Sequence, residues 1–289
     1  MAKNAGQIRF EGEPLVVSPR FAQLKNDKFG RTVIASVNEK YAGTPAEIPR
    51  EDIQAKNQPI VGSNSYRLFA IDTVARQFGA RIARPEEQEL LLVQNRLPEQ
   101  GTVNYDRGVI LDLSGANHDL ALKLYDSLPN ELKDLDRLPA VMLALELSKN
   151  GDALEFVYGA NSQLRTSKIL NSETRNFRAD DPELLRTGLP SAVGDGTRTL
   201  YTTTQRTQAL ENNLGLRGFS LSGGSNLYAD VDALAVSSDD GRVVLCADEV
   251  GGVKNLDDYV TAVEQVRTKA VEQAARIRDE AVSKLSALR

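Results

Sequence analysis

A chain of 289 residues, 41% hydrophobic and 26% charged, carries enough apolar material to bury one large core, with or without appendages. Its net charge of −5 excludes a general phosphate-binding surface, which needs a basic excess, so no nucleic-acid partner is expected. A single cysteine, Cys246, and a single histidine, His118, exclude an internal disulfide and any multi-thiolate metal site.

The opening MAKNAGQIRFEGEP lacks the apolar centre of a secretory signal, and no apolar run reaches membrane-spanning length. The expectation is a cytoplasmic or virion-associated protein without membrane insertion. Residues Ile8 to Val17 and Arg31 to Val37 alternate and carry β-branched side chains, which predicts short strands. Pro45, Pro49 and Pro59 mark Gly43 to Pro59 as a linker or surface loop. Residues 1–64 therefore read as an extended lead-in, and the main domain is expected over 65–250.

From Tyr66 onward, Leu68, Ile71, Val74, Ala75 and Phe78 recur at helical spacing as far as Gly79, a natural stop. Pro85-Glu86-Glu87 then reads as the first turn of a second helix, with acids at the positive end of the dipole. A third helix is predicted over Asp119 to Leu128 and a fourth over Leu138 to Leu147. His118 suits a capping or surface role rather than catalysis. After Gly151 the character changes. Leu154 to Tyr158 reads as a strand, and residues 161–196 as a polar region with a short helix at Pro182 to Arg186. Strands are predicted again at Thr199 to Thr204 and at Arg242 to Ala247, where Cys246 reads as a small buried apolar residue. Helices first and strands later predict an α+β domain.

Residues 251–289 are expected to hold a long C-terminal helix from Leu256 to Leu288. Val263, Val266 and Ala270 recur as Ala274, Ile277 and Ala281, a spacing close to that of a nearly straight helix stripe. That alanine-rich stripe would either join two copies into a homo-oligomer through residues 256–288 or pack on its own domain.

The tract Leu216 to Asp240 is unusual. Leu216, Phe219, Leu221, Leu227, Val231, Leu234 and Val236 can anchor it in a core, with Ser, Gly, Asn, Tyr and Asp interleaved. Between Gly218 and Asp240 there is no Lys, Glu, Gln, Met or Trp. Small polar residues and tyrosine are what adaptable recognition surfaces use. The same glycines and aspartates would equally serve turns alone.

Thr199-Leu200-Tyr201-Thr202-Thr203, Leu216-Arg217-Gly218-Phe219 and Asp240-Gly241-Arg242-Val243-Val244-Leu245 together resemble the C-terminal half of C-type lectin-fold proteins. In particular they resemble the variable proteins of diversity-generating retroelements. Ala70 to Leu91, with Ala75, Gly79, Arg81, Ala83, Pro85 and Glu89, is similar to the helix and following turn of the formylglycine-generating-enzyme branch of that fold. The resemblance spans roughly Ser65 to Asp248. It implies a C-type lectin-like fold of mixed short strands and two main helices, used for ligand binding rather than catalysis. In such proteins adenine-directed mutagenesis rewrites chosen codons. The outcomes at an AAY codon exclude Lys, Glu, Gln, Met and Trp, the types missing from the tract. By position, the resemblance gives the variable, ligand-facing role to Ser220, Ser222, Gly223, Asn226, Tyr228, Asp230, Asp232, Ser238, Asp239 and Asp240. The implied partner is a macromolecular ligand, by class a protein.

Departures from the family are plain: tryptophan is absent, Tyr201 stands where one is often seen, and the C-terminal helix extends past the usual end. Formylglycine-type chemistry depends on cysteines, which a lone Cys246 in a strand does not supply. Asp230, Asp232, Asp239 and Asp240 offer oxygen ligands, yet the triplets of calcium-dependent sugar-binding lectins are missing, so neither metal nor cofactor is expected. No phosphate-cradling or dinucleotide fingerprint occurs. The alternative reading is a structural or assembly protein of a virion or surface complex, oligomerising through the C-terminal helix.

Overall fold

The computed structural model describes residues 21–99, 101–150, 153–206, 208–223 and 225–247. Its first half runs β1 (Phe21–Gln23), α1 (Lys28–Tyr41), α2 (Ser65–Arg76), β2 (Ala80–Ile82), α3 (Pro85–Val93), β3 (Asn104–Asp112) and α4 (His118–Asp126). The middle holds β4 (Ala140–Leu143), β5 (Glu146–Asn150), β6 (Ala153–Val157), β7 (Gln163–Thr166), β8 (Arg175–Phe177) and α5 (Pro182–Thr187). Then come β9 (Arg198–Tyr201), β10 (Gly215–Leu221), β11 (Leu227–Val231), β12 (Gly241–Arg242) and β13 (Val244–Ala247). Helices and strands are mixed along the chain, an α+β arrangement. The strand expected at Ile8 to Val17, and the C-terminal helix and self-association expected for 251–289, lie outside the described residues. No helix among the described residues is long and apolar enough to cross a membrane.

The predicted helices around Tyr66 to Leu97 form as their signals dictate. Asn64 caps α2, its side-chain oxygen accepting the Arg67 N–H at 2.8 Å. Nearly every face of α2 is buried, so it runs through the core rather than over it. Gly79, at φ 75°, ends the segment in the left-handed region that suits glycine. Pro85 opens α3, and Glu87 accepts the Arg84 N–H at 2.7 Å while gripping Arg81 at 2.6 Å. His118 opens α4, with Nδ1 2.9 Å from the Leu214 carbonyl oxygen.

Three expectations are corrected. Arg31 to Val37 is not a strand but the middle of α1. Asp27 caps that helix through Gly30 N–H at 2.8 Å, and Val33, Ile34, Val37 and Tyr41 form a buried stripe. Packing against α2 outweighs the weak strand preference of the β-branched Thr32, Val33, Ile34 and Val37. Second, Gly43 to Pro59 is tied down. Ala46 and Ile48 are fully buried, and the Asn38 amide clasps both backbone groups of Ile48 at 2.8 Å. The expected boundary between residues 64 and 65 thus falls inside one compact unit that ends at Ala247. Third, Leu138 to Leu147 is not a helix. Ala140 to Leu143 is a strand, buried at all four positions between β3 and β7. A strand covered on both faces shows a continuous apolar run, which periodicity alone does not distinguish from a buried helix.

Among the described residues the main sheet has eight strands, ordered β7-β4-β3-β10-β11-β9-β8, with β12 pairing parallel to β3. A three-stranded sheet, β1-β13-β2, joins the first described strand to the last, Phe21 facing Cys246. Strands β5 and β6 form a separate hairpin. Alternate residues of the central strands serve two cores. Val109, Leu111 and Leu216 join the core of α1, α2 and α4. Tyr105, Ile110, Phe219, Leu221 and Leu227 join a second core with residues of α3 and α5.

Candidate ligand-binding surface

Strands β10 and β11 form an antiparallel pair in which Leu221 faces Leu227, Ser220 faces Tyr228 and Gly218 faces Val231. Leu216 and Leu234 are buried in the core of α1, α2 and α4, and Phe219, Leu221 and Leu227 are sealed in the second core. Because strand side chains alternate, this leaves Ser220, Tyr228 and Asp230 on the opposite side, partly open to solvent. Two expected anchors do not anchor. Val231 is 37% exposed and Val236 is 69% exposed. Val231 ends β11 opposite a glycine, which offers no side chain to cover it, and Val236 lies in the loop beyond.

The ten ligand-facing candidates divide by what their side chains already do. Asp232 is ion-paired to Arg217, which is itself 3.2 Å from Asp112. The Asn226 side-chain oxygen accepts the Thr199 N–H at 2.7 Å and ties the hairpin to β9. Ser222 Oγ accepts the Asn226 N–H at 3.3 Å within the turn. Gly223 lies against the backbone of residues 101–103, where an added Cβ would come within 2.8 Å of Gly101 and Thr102 atoms. These four hold the fold. Ser220, Tyr228, Asp230, Ser238, Asp239 and Asp240 are at least partly exposed, and among the described residues their side chains are free of ion pairs. Tyr228 stacks on Tyr201 with centroids 4.5 Å apart and planes 14° apart, an aromatic plate across β9 and β11. Burial, then the neighbouring Tyr201, pushes the Tyr228 hydroxyl above its usual pKa, and burial likewise raises Asp230.

Beside this plate the structure holds a cleft of about 130 Å³ that contains Ser220 and Ser238 together with Ser63, Ser65, Asn104 and Asp106. Its walls come from three places. Asp106 faces Ser220 across the β3–β10 pair, next to an irregularity in register. Ser63 and Ser65 arrive with the start of α2, fixed because the Asn64 amide donates to Pro45 O at 3.0 Å and Ala235 O at 3.1 Å. Ser238 bridges to Ser63. Gly218 leaves the space open: a Cβ there would meet Val231 at 3.3 Å and Ser65 Oγ at 3.5 Å. Ser63 Oγ donates to Asp106 Oδ2 at 2.5 Å. Burial drives the Asp106 carboxyl up to about 6, against the partial relief of that hydrogen bond. Among the described residues no cation pairs with it.

None of Ser63, Ser65, Asn104 and Asp106 stands out in the sequence as a site residue. They are 40 residues or more from the serines they join, and β3 itself escapes a periodicity reading because Asp106-Arg107-Gly108 interrupts its apolar run.

Beneath the surface lies a second charged cluster. Glu89 of α3, with no exposed side chain, receives Arg107 at 2.9 Å and Arg198 at 2.7 Å. Arg107 also donates to Gln88 at 3.0 Å, and Arg198 covers the Phe177 ring at 4.8 Å and donates to the Ser225 carbonyl. Burial alone would raise Glu89, but the two guanidiniums outweigh it and hold its carboxyl below the ordinary range. The cluster ties α3, β3, β9 and the β10–β11 turn together from below.

Among the described residues no three His, Cys, Asp or Glu side chains converge to hold a metal ion. Cys246 is buried in β13. No protein-family model, curated protein or solved structure matches this chain.

Proposed function

We propose that this chain is a ligand-recognition protein. In this reading a C-type lectin-like scaffold presents the surface of β9, β10 and β11, with the loop to Asp240, to a protein ligand. The observation that carries the reading is the Tyr201–Tyr228 plate standing beside Ser220 and Asp230 on a sheet whose opposite side is sealed. Tyrosines give rigid contact area at small entropic cost, and short polar side chains add hydrogen bonds without bulk. The family resemblance agrees with a helix that stops three residues before Gly79, a second helix opening at Pro85, and mixed short strands after it.

The physical basis for changeable residues is the division described above. Ser220, Tyr228, Asp230, Ser238, Asp239 and Asp240 carry little of the fold, so replacing them costs little stability. Gly223, Asn226 and Asp232 carry local structure and are poor places for change. Sequencing the gene across a natural population tests the diversification. Variation concentrated at the six codons is expected, and variation spread evenly along the chain overturns it. Binding is tested by selecting a random peptide library on the full chain, then challenging the enriched clones with a Tyr228→Ala, Asp230→Ala double variant. Loss of most binding is expected; clones that bind both proteins equally would refute recognition through this surface.

A further inference from the structure

We infer that the cleft containing Asp106 receives the ammonium group of a lysine side chain presented by the protein ligand. This rests on the recognition reading above and names what one part of that surface recognises.

Size comes first. A volume of about 130 Å³ is well short of the roughly 300–1,000 Å³ that a drug-sized ligand needs, so the cleft suits one side chain. Charge comes second. Among the described residues Asp106 is the only ionisable residue in the lining, and no arginine or lysine pairs with it. The arginines of β10 and β12, two strands that pair with β3, are occupied: Arg217 by Asp112 and Asp232, Arg242 by Glu99 at 3.0 Å. A half-buried carboxylate without a counter-charge bears a desolvation cost that an incoming cation relieves.

Geometry favours ammonium over guanidinium. Ser63 takes one of the two acceptor sites on Asp106 Oδ2, which crowds the two-oxygen fork that arginine prefers. Oδ1 remains, and the Ser65, Asn104 and Ser220 side chains make no hydrogen bond to described residues. An ammonium has three rotatable donors that suit such separate acceptors. The exposed methyls of Val231 and Val236 line the same cleft and offer the aliphatic stem an apolar seat.

The test is a nuclear magnetic resonance titration of the full chain with four probes: N-acetyl-lysine methylamide, its arginine and norleucine counterparts, and butylamine. The lysine probe should shift the Gly218, Ser220 and Gly241 amides saturably, with the neutral norleucine probe at least tenfold weaker. Asp106→Asn, which keeps an acceptor for Ser63, should lose at least tenfold in affinity for the lysine probe. Ser220→Leu, which fills the cleft from the facing strand, should abolish binding. Equal response to norleucine, tighter binding of arginine, or unchanged binding by Asp106→Asn overturns the inference. Butylamine binding as tightly as the lysine probe points to a free amine and overturns the peptide source. The two readings fail separately. Peptides that depend on Tyr228 but ignore Asp106→Asn would sink the cleft and spare the surface. Lysine-probe binding without any Tyr228-dependent peptide would sink the surface.

Discussion

Two adjacent residues of β3 meet opposite fates. Arg107 points into a sealed cluster where Glu89 is shared with Arg198, and every charge there has an opposite neighbour. Asp106 points the other way, into an open cleft, with one hydroxyl and, among the described residues, no cation. The contrast separates two uses of buried charge. A carboxylate held below its usual pKa by two guanidiniums is committed to architecture. One pushed upward by desolvation is a stability cost retained in a place that solvent and ligands reach.

The largest expected effect tests the committed side. Glu89→Gln leaves two buried guanidiniums without a counter-charge and should lower stability by about 3–5 kcal/mol, read as a drop in the urea midpoint. A loss under 1 kcal/mol would mean the arginines find water or other partners, and the contrast would blur. Next comes the hairpin turn. Gly223→Ala forces a methyl into the backbone of residues 101–103 and should cost about 1–3 kcal/mol.

Asp106→Asn carries the opposite sign. The folded chain keeps the Asp106 proton up to about pH 6, whereas an unfolded aspartate releases it near pH 4. Rising pH through that window therefore favours the unfolded state for this group. The variant should match the wild type near pH 4 and exceed it by about 1–2 kcal/mol above pH 6, as measured by denaturation across pH. A variant less stable than wild type at pH 7 would show that the carboxylate has a stabilising partner after all. Smallest of all, Asp239→Ser and Asp240→Ser should each move stability by no more than about 0.5 kcal/mol, since both side chains are exposed and unpaired. A larger change in thermal midpoint would remove them from the replaceable set.

Much of the framework was legible in the sequence, and the reasons are local. The stop at Gly79, the proline start of α3, the α4 and α5 helices and the strand around Cys246 each rest on signals within a few residues. So do the anchors Phe219, Leu221 and Leu227, which share one hidden side, while Leu216 is buried on the other. What escaped depends on distant partners. Helix α1 hides behind β-branched residues that only packing on α2 makes helical. Strand β4 reads as a helix because both its faces are covered. The candidate cleft was half visible: Ser220 and Ser238 sit in a tract of odd composition, but nothing near Asp106 or Ser63 announces that they meet. Nor does local pattern reveal that Asp232 and Asn226 tie down the backbone around them while Tyr228 only stacks on Tyr201.

The pairing of Phe21 with Cys246 has a practical corollary. Since the described unit starts and finishes on neighbouring strands, residues 21–247 form a cassette whose two ends meet at one spot. Neighbouring ends of this kind are the geometry that insertion into a surface loop of a host, or joining the ends and reopening the chain elsewhere, requires.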